Sequence, residues 1–547
     1  MVDLAVLRHE AQAWLADDPD EDDRAELQTV LDGLPATAIE LADRFVGPLT
    51  FGTAGLRGPL RAGPNGMNRA VVRAAAAGLV RWLASTGVEG PVVIGFDARY
   101  RSREFAEETA RVVTGAGRAA LVLPGPLPTP VLAFAVRRLG AVAGVMVTAS
   151  HNPPRDNGYK VYLGAALGGD TGAGAQIVPP ADAEIEASIR SVGSLSAVPL
   201  GPAGDPVPDD LVRSYVDSVA GVVDRDSYRE LAVAYTPLHG VAGDVLRSAL
   251  VAAGFPAPSI VDSQAAPDPD FPTVAFPNPE EPGALDAVIR LADVVHADLV
   301  VANDPDGDRC AVAVPRPGGG WRRLHGDELG VLIADHLMRR GTPGRYATTI
   351  VSSSLLRALC AARGRPYGET LTGFKWIVRA GADLAYGYEE ALGYCAAPEL
   401  VRDKDGISAA LLVCELAAGL RAQLRTLADR LDELAAEFGV YATDQLSVRV
   451  DDLREIGAMM ARLRARPPVT LLDEKVTSVE DLLPSADVVT LRAEGARVVV
   501  RPSGTEPKLK AYLEVIEPAA DDIAAARERA GAALVALRTE VAAALGV

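Results

Sequence analysis

The segment Asp304-Pro305-Asp306-Gly307-Asp308-Arg309 places three carboxylates within five residues. Ionised carboxylates about 5 Å apart repel by about 3 kcal/mol per pair at an effective dielectric of about 20. A hard divalent cation with oxygen ligands relieves that cost, and Mg²⁺ commonly takes a few carboxylates plus phosphate or water. A calcium EF-hand loop is a poor match, because the glycine stands fourth instead of sixth and position twelve is Pro315. A solvated acidic hairpin turn is the alternative, but the segment follows an apolar run at 298–302, and that placement favours a metal site.

A second segment, Thr148-Ala149-Ser150-His151-Asn152-Pro153-Pro154 followed by Asp156-Asn157-Gly158-Tyr159-Lys160, also lies just past an apolar run, at 141–147. Open α/β sheets place their ligands at the carboxyl ends of strands, and a rigid polar loop suits the presentation of a serine hydroxyl. The adjacency of Ser150 and His151 is not itself a Ser–His pair, and the composition also fits a plain turn. A third segment, Arg501-Pro502-Ser503-Gly504-Thr505-Glu506-Pro507-Lys508, offers a guanidinium, two hydroxyls, an ammonium and backbone N–H groups. That set suits a phosphate dianion, and a Ser-Gly hairpin turn is the alternative.

Weaker signals complete the set. Arg57 stands in the glycine-rich stretch 51–58, which lacks the P-loop spacing. Gly373 and Lys375 sit in a turn, Lys404 in Arg402-Asp403-Lys404-Asp405-Gly406, and Glu389-Glu390 follow a predicted strand, where they could bind sugar hydroxyls. His239 reads as a turn or packing residue, and the other histidines (9, 296, 325, 336) show no metal-ligand spacing. Only six basic residues are lysines (160, 375, 404, 475, 508, 510), and four of them fall in these segments.

The elements that must position these residues follow an α/β rhythm. Apolar runs at 92–96, 119–123 and 141–147 alternate with helical periodicity at 102–114 and 130–139, as in βαβ units with a mainly parallel sheet. The rhythm restarts at 231–302 and again at 327–388, with Pro/Gly-rich breaks near 200–209 and 315–320. After about 440, alternating strands and two helices predict a small α+β domain. The expected organisation is an N-terminal helical segment plus α/β domain over 1–205, α/β domains over 206–318 and 319–438, and an α+β domain over 439–547.

Composition bounds the function. The chain of 547 residues is 49% apolar and carries a net charge of −19, so nucleic acid and anionic membranes are not expected partners. An anionic ligand would need positive charge concentrated in one pocket. The four cysteines (310, 360, 395, 414) form no CxxC pair, which fits a reducing compartment. The N-terminus lacks the basic start and apolar run of a signal peptide, and no apolar stretch approaches a bilayer span. A soluble cytoplasmic protein is expected. No G-x-G-x-x-G follows the first strand, which disfavours a dinucleotide-binding oxidoreductase.

Taken in order, FGTAGLRG, TASHNPPRDNGYK, DPDGDR, GYEEALGY and RPSGTEPK resemble the motifs of the α-D-phosphohexomutase superfamily, which includes phosphoglucomutases and phosphomannomutases, over about 450 residues. The resemblance implies four domains around a central cleft, the first three of similar α/β mixed-sheet topology. It implies a phosphorylated Ser150, with Asp304, Asp306, Asp308 and the serine phosphate holding Mg²⁺. Lys160 matches the general base, His151 its helper in proton transfer, and Arg57 and Arg309 the groups that neutralise the transferring phosphoryl. Gly373, Lys375 and Glu389 fall in sugar-contacting loops, while Arg501, Ser503, Gly504 and Thr505 would hold the non-reacting phosphate, with Lys404 and Lys508 as further phosphate contacts. The implied reaction interconverts glucose 1-phosphate and glucose 6-phosphate through a bisphosphorylated sugar, with catalytic hexose 1,6-bisphosphate as activator and sugar phosphates as partners of a monomer or homodimer. Ala391 stands where many phosphoglucomutases carry a serine. This departure leaves phosphomannomutase and phosphopentomutase activity open. A metal-dependent sugar phosphatase and a non-catalytic sugar-phosphate binder are the remaining alternatives.

Overall fold

A computed structural model describes residues 4–50, 55–450, 452–503, 508–519 and 522–547. The chain divides into two compact units, one formed by 1–324 and 391–419, the other by 325–390 and 420–547.

The first unit opens with three helices, Leu4–Asp17, Glu21–Asp32 and Ala38–Arg44. They close over a small core of their own around Leu7, Ala11, Leu27, Leu31 and Leu41. The Asp20 side chain caps the second helix by accepting from the amides of Asp22 and Asp23. A seven-stranded sheet follows, in the order Leu56–Pro59, Asp156–Leu163, Ala143–Val147, Val92–Phe96, Ala120–Val122 and Asp205–Pro206, with Ala175–Gln176 paired to Asp156–Leu163. Val92–Phe96 and Ala143–Val147 are buried at every position, as strands covered on both faces must be.

The sheet is mixed. Val92–Phe96 runs parallel to both its neighbours. Asp156–Leu163 is antiparallel to Ala143–Val147, with Lys160 opposite Met146, and antiparallel to Leu56–Pro59, with Arg57 opposite Gly158. Gly158 belongs to this strand because of close approach: a Cβ there would stand 2.6 Å from the Thr148 carbonyl oxygen and 2.8 Å from that of Leu56. Arg57 and Lys160 therefore sit on strands, not in the loops their glycine- and asparagine-rich surroundings suggest.

A second sheet in this unit has the order Trp321–Arg323, Ala311–Pro315, Leu299–Ala302, Val233–Thr236 and Ser259–Ile260. Leu299–Ala302 is parallel to Val233–Thr236 and antiparallel to Ala311–Pro315. The three-aspartate segment joins that antiparallel pair.

In the second unit Arg345–Thr349 lies between the parallel strands Tyr367–Thr370 and Leu384–Glu389. A separate antiparallel sheet runs Val440–Arg449, Lys508–Glu517, Ala496–Pro502, Val489–Ala493 and Ser478–Asp481. The helices Leu453–Ala465 and Ile523–Leu545 bury Met460, Leu463, Leu537 and Val541 against it. Among the described residues no helix is long and apolar enough to cross a membrane.

Candidate active site

The strand Ala143–Val147 ends in a buried turn that carries Ser150. Ser150 has φ 51°, a left-handed conformation that side-chain-bearing residues adopt only where neighbours enforce it. Its amide donates to Thr148 Oγ1 at 2.9 Å, and Thr148 Oγ1 donates to Asp97 Oδ2 at 2.6 Å. So held, Ser150 Oγ donates to Asp304 Oδ2 at 2.7 Å and lies 3.2 Å from His151 Nδ1. The sequence-adjacent serine and histidine are thus also within reach of each other in space.

Asp304, Asp306 and Asp308 are wholly buried, so the loop is no solvated hairpin turn. Each offers a carboxylate oxygen, and these oxygens all lie within 4.8 Å of one another. Gly307, at φ 69°, lets the loop fold back; a Cβ there would stand 2.9 Å from Ala242 Cβ. Asp306 Oδ2 accepts from Thr129 Oγ1 at 2.7 Å and Lys160 Nζ at 2.8 Å. Lys160 also reaches Asp308 Oδ2 at 3.3 Å, and Lys404 Nζ lies 3.1 Å from the same oxygen. The other oxygens, Asp306 Oδ1 and Asp308 Oδ1, are buried without a hydrogen-bond partner. Buried, unpaired carboxylate oxygens are costly unless a cation takes them. An all-carboxylate donor set is also the hard set that suits Mg²⁺, Ca²⁺ or Mn²⁺. The residues present fit a divalent cation.

Electrostatics divide the triad. Burial, and then the neighbouring charges of Asp306 and Asp308, push the Asp304 carboxyl well above the usual carboxylate range. Burial acts the same way on Asp306, but the Lys160 ammonium and the Thr129 hydroxyl overcome it and hold that carboxyl below its ordinary value. The reciprocal effect keeps Lys160 protonated: burial opposes its charge, yet Asp306 and Asp308 outweigh burial. His151 is held neutral by burial and by the guanidiniums of Arg309 and Arg57.

Both arginines reach this cluster. Arg57 Nη1 donates to Asn152 Oδ1 at 2.8 Å, within the serine loop. Arg309 donates its own amide to Asp304 Oδ1 at 3.0 Å and Nη1 to the Ala391 carbonyl at 2.8 Å. Its Nε stands 3.9 Å from both Asp304 and Asp308. The structure therefore gathers Ser150, His151, Lys160, Arg57, Arg309, Lys404 and the triad within one unit.

The remaining expected residues belong to the other unit. Gly373, at φ 109°, opens the short helix Phe374–Ile377, which carries the buried Lys375. Glu389 ends the strand Leu384–Glu389. Arg501 lies near the end of Ala496–Pro502, opposite Lys510 of the adjacent antiparallel strand Lys508–Glu517, and the Ser503 amide donates to the Lys508 carbonyl at 2.8 Å. Gly504 and Thr505 lie outside the described residues.

Sequence reasoning missed Asp97, Arg99 and Thr129. Asp97-Ala98-Arg99 follows the strand Val92–Phe96 just as Ser150 follows Ala143–Val147, and that shared placement was the available signal. Thr129 opens the helix Thr129–Arg138, where its hydroxyl reads as a plain helix start.

A serine hydroxyl thus stands on a buried carboxylate triad, with two lysines and two arginines close by. Sequence models of four domains match in chain order: phosphoglucomutase/phosphomannomutase alpha/beta/alpha domain I at 48–195, domain II at 213–319, domain III at 325–438 and the C-terminal domain at 446–530. A Haemophilus influenzae protein named "Probable phosphomannomutase" is 45% identical over 82% of this chain and 93% of its own. A Schizosaccharomyces pombe "Probable phosphoribomutase" is 34% identical over 93% of each. A Staphylococcus aureus "Phosphoglucomutase" is 31% identical over 89% of this chain and 93% of its own. The crystal structure of Paramecium pp63/parafusin shares the fold, with a TM-score of 0.70 at 19% identity over 91% of this chain and 96% of that one. The chain belongs to the phosphoglucomutase/phosphomannomutase family of the α-D-phosphohexomutase superfamily and is an intramolecular phosphotransferase.

Proposed function

We propose that this enzyme interconverts glucose 1-phosphate and glucose 6-phosphate by way of phosphorylated Ser150 and a hexose 1,6-bisphosphate. The observation that carries the reading is the 2.7 Å bond from Ser150 Oγ to Asp304, inside a buried triad that also pairs with Lys160. In the forward half-reaction the bond between Ser150 Oγ and phosphorus breaks as one forms to the free sugar hydroxyl, whose proton passes to Lys160 Nζ. Ser150 Oγ keeps the bonding pair and takes a proton relayed by His151, 3.2 Å away. In the second half-reaction the other phosphate bonds to Ser150 Oγ, which gives up its proton through His151, and the sugar oxygen it leaves takes a proton back from Lys160 Nζ. Asp304, Asp306 and Asp308 would hold Mg²⁺, which would spread the charge of the transferring group. Lys160 is protonated while Asp306 and Asp308 face it uncompensated, so its service as a base requires those carboxylates to be otherwise neutralised. Arg57 and Arg309 flank the reacting centre as the remaining positive charge.

Gly373, Lys375 and Glu389 are the proposed sugar contacts, and Arg501, Ser503, Gly504, Thr505 and Lys508 the clamp for the non-reacting phosphate. Lys404, seated on Asp308, acts at the triad. Catalytic hexose 1,6-bisphosphate would restore any enzyme that loses its phosphate. Four free, buried cysteines support a cytoplasmic setting.

A second reading replaces glucose by mannose or a pentose. The 45% identity to a relative named for mannose favours it, as does Ala391, whose carbonyl already engages Arg309. Phosphorus NMR of glucose 1-phosphate with Mg²⁺ and a trace of glucose 1,6-bisphosphate separates the readings, with mannose 1-phosphate and ribose 1-phosphate run beside it. Glucose 6-phosphate should appear without inorganic phosphate, and a Ser150→Ala protein should stay silent. Turnover of mannose or ribose phosphate alone transfers the assignment to that sugar. Accumulation of free phosphate, or full activity of Ser150→Ala, sinks the mutase mechanism.

A further inference from the structure

We propose that Arg99 is a positioning residue, whose guanidinium sets the backbone of the serine loop and thereby the place of Ser150 Oγ. Its side chain is wholly buried. Nη2 donates to the carbonyls of Ser150 and Asn152 at 2.6 Å each, and Nη1 to those of Pro153 at 2.7 Å and Asp156 at 3.1 Å. Three of the acceptors belong to the serine loop and the fourth, Asp156, opens the strand that follows it; one of them is the reacting serine's own carbonyl.

Two supports fix the guanidinium in turn. Asp97 Oδ2 lies 3.5 Å from Arg99 Nε, and Asp97 Oδ1 accepts the Arg99 amide at 3.0 Å. The same carboxylate takes Thr148 Oγ1, which receives the Ser150 amide. The guanidinium also lies over the buried Phe271 ring, 5.0 Å from its centroid. Both peptide faces of Ser150 are thus tied to the Asp97–Arg99 segment, the amide through Thr148 and the carbonyl directly. Only a planar fork of several donors spans four carbonyls from one point, and an ammonium cannot. Ser150 holds φ 51°, so a loop freed from Arg99 would relax toward ordinary backbone and move the hydroxyl off Asp304. Among the described residues the Arg99 guanidinium donates to main-chain carbonyls, which makes Arg99 a positioning group and not a catalytic one.

The inference rests on Ser150 being the phosphoryl carrier, and the experiment keeps the two apart. Arg99→Lys is compared with the parent full-length enzyme in steady state, with turnover normalised to the phosphoserine content found by intact mass. Misplacement of a reacting atom by about 1 Å costs about 10²-fold in rate. Turnover per phosphoserine should therefore fall at least about 30-fold, with KM for the sugar phosphate held within about threefold. A residue needed only for folding would lower yield and phosphoserine content while each phosphorylated molecule worked normally, and that result would overturn the proposal. If Arg99→Lys does not fold, Thr148→Val severs the amide tie. It should lower turnover per phosphoserine by about tenfold, and an unchanged value would be equally fatal. A parent enzyme with no phosphate on Ser150 would overturn both this inference and the reaction it rests on.

Discussion

Asp306 does two jobs that pull in different directions. Its Oδ2 neutralises Lys160 and anchors Thr129, while its Oδ1 is buried with no partner. Replacing it by asparagine removes a charge but not the shape, so the loop should still fold. Lys160 would keep only Asp308 at 3.3 Å, and the triad would lose one anionic ligand. We expect Asp306→Asn to need at least about tenfold more Mg²⁺ for half-maximal activity and to lose about 10²-fold in kcat. Titrating activity against Mg²⁺ checks this, and an unchanged half-saturation would remove Asp306 from the metal site. At this scale much was legible. Ser150 and the three aspartates could be picked out from residue type and placement past an apolar run, whereas the role expected of Lys160 came from the family resemblance alone. Arg99 could not, because an Asp-x-Arg spacing is common and its partners lie more than fifty positions along the chain.

Elements enter the argument through what their ends enforce. The helix Gly326–Arg339 carries Asp327 in its first turn, and the Asp327 carboxylate accepts the Ser353 amide at 2.7 Å. The neighbouring Ser353 and Ser354 hydroxyls, at 2.8 and 2.7 Å, close onto the buried Glu514, which also pairs with Arg497 at 3.1 Å. One arginine faces several acids here. Burial, then the charges of Glu390 and Glu514, push Asp327 up to about 7. A carboxyl raised in the folded state is neutral there at low pH, while the unfolded chain ionises it from about pH 4. Stability is therefore lost as pH rises from about 4 through 7, and the loss is complete above that. Between pH 5 and pH 8 the parent should lose roughly 2–3 kcal/mol more than Asp327→Asn. Urea midpoints of both proteins at the two pH values measure this, and parallel pH dependence would show that Asp327 ionises normally. The strands and helices read from apolar runs and periodicity recur, usually to within two or three residues, but long helices such as Arg69–Thr86 and Gly406–Arg421 were not among them. Asp156–Leu163 was not, because Asn157-Gly158 looks like a turn. The close approach of two backbones that only glycine permits is a tertiary demand, which no local pattern announces.

On the scale of the whole molecule, the chain's net charge of −19 means any divalent cation will collect loosely on its surface. A specific site must be told apart from that background. Every triad oxygen, both lysines that face it and Ser150 belong to the unit formed by 1–324 and 391–419. That Lys404 comes to Asp308 depends on residues 391–419 returning to this unit, a path with no mark in local sequence. Cation binding to the folded triad should stabilise that unit by mass action, about 2.7 kcal/mol at a hundredfold excess over the dissociation constant. Chelator-treated enzyme given Mg²⁺ should accordingly melt a few degrees higher, and Asp306→Asn should lack most of the gain. Hydrogen exchange should slow in peptides spanning 143–163, 299–315 and 400–410, and stay unchanged in the sheet spanning 440–517. Diffuse surface binding predicts the reverse, with equal gains in parent and variant and protection spread over both units. A shift of that kind would leave the buried aspartates as a hydrogen-bonded anchor for Lys160 and Lys404, and the metal would have to be sought elsewhere.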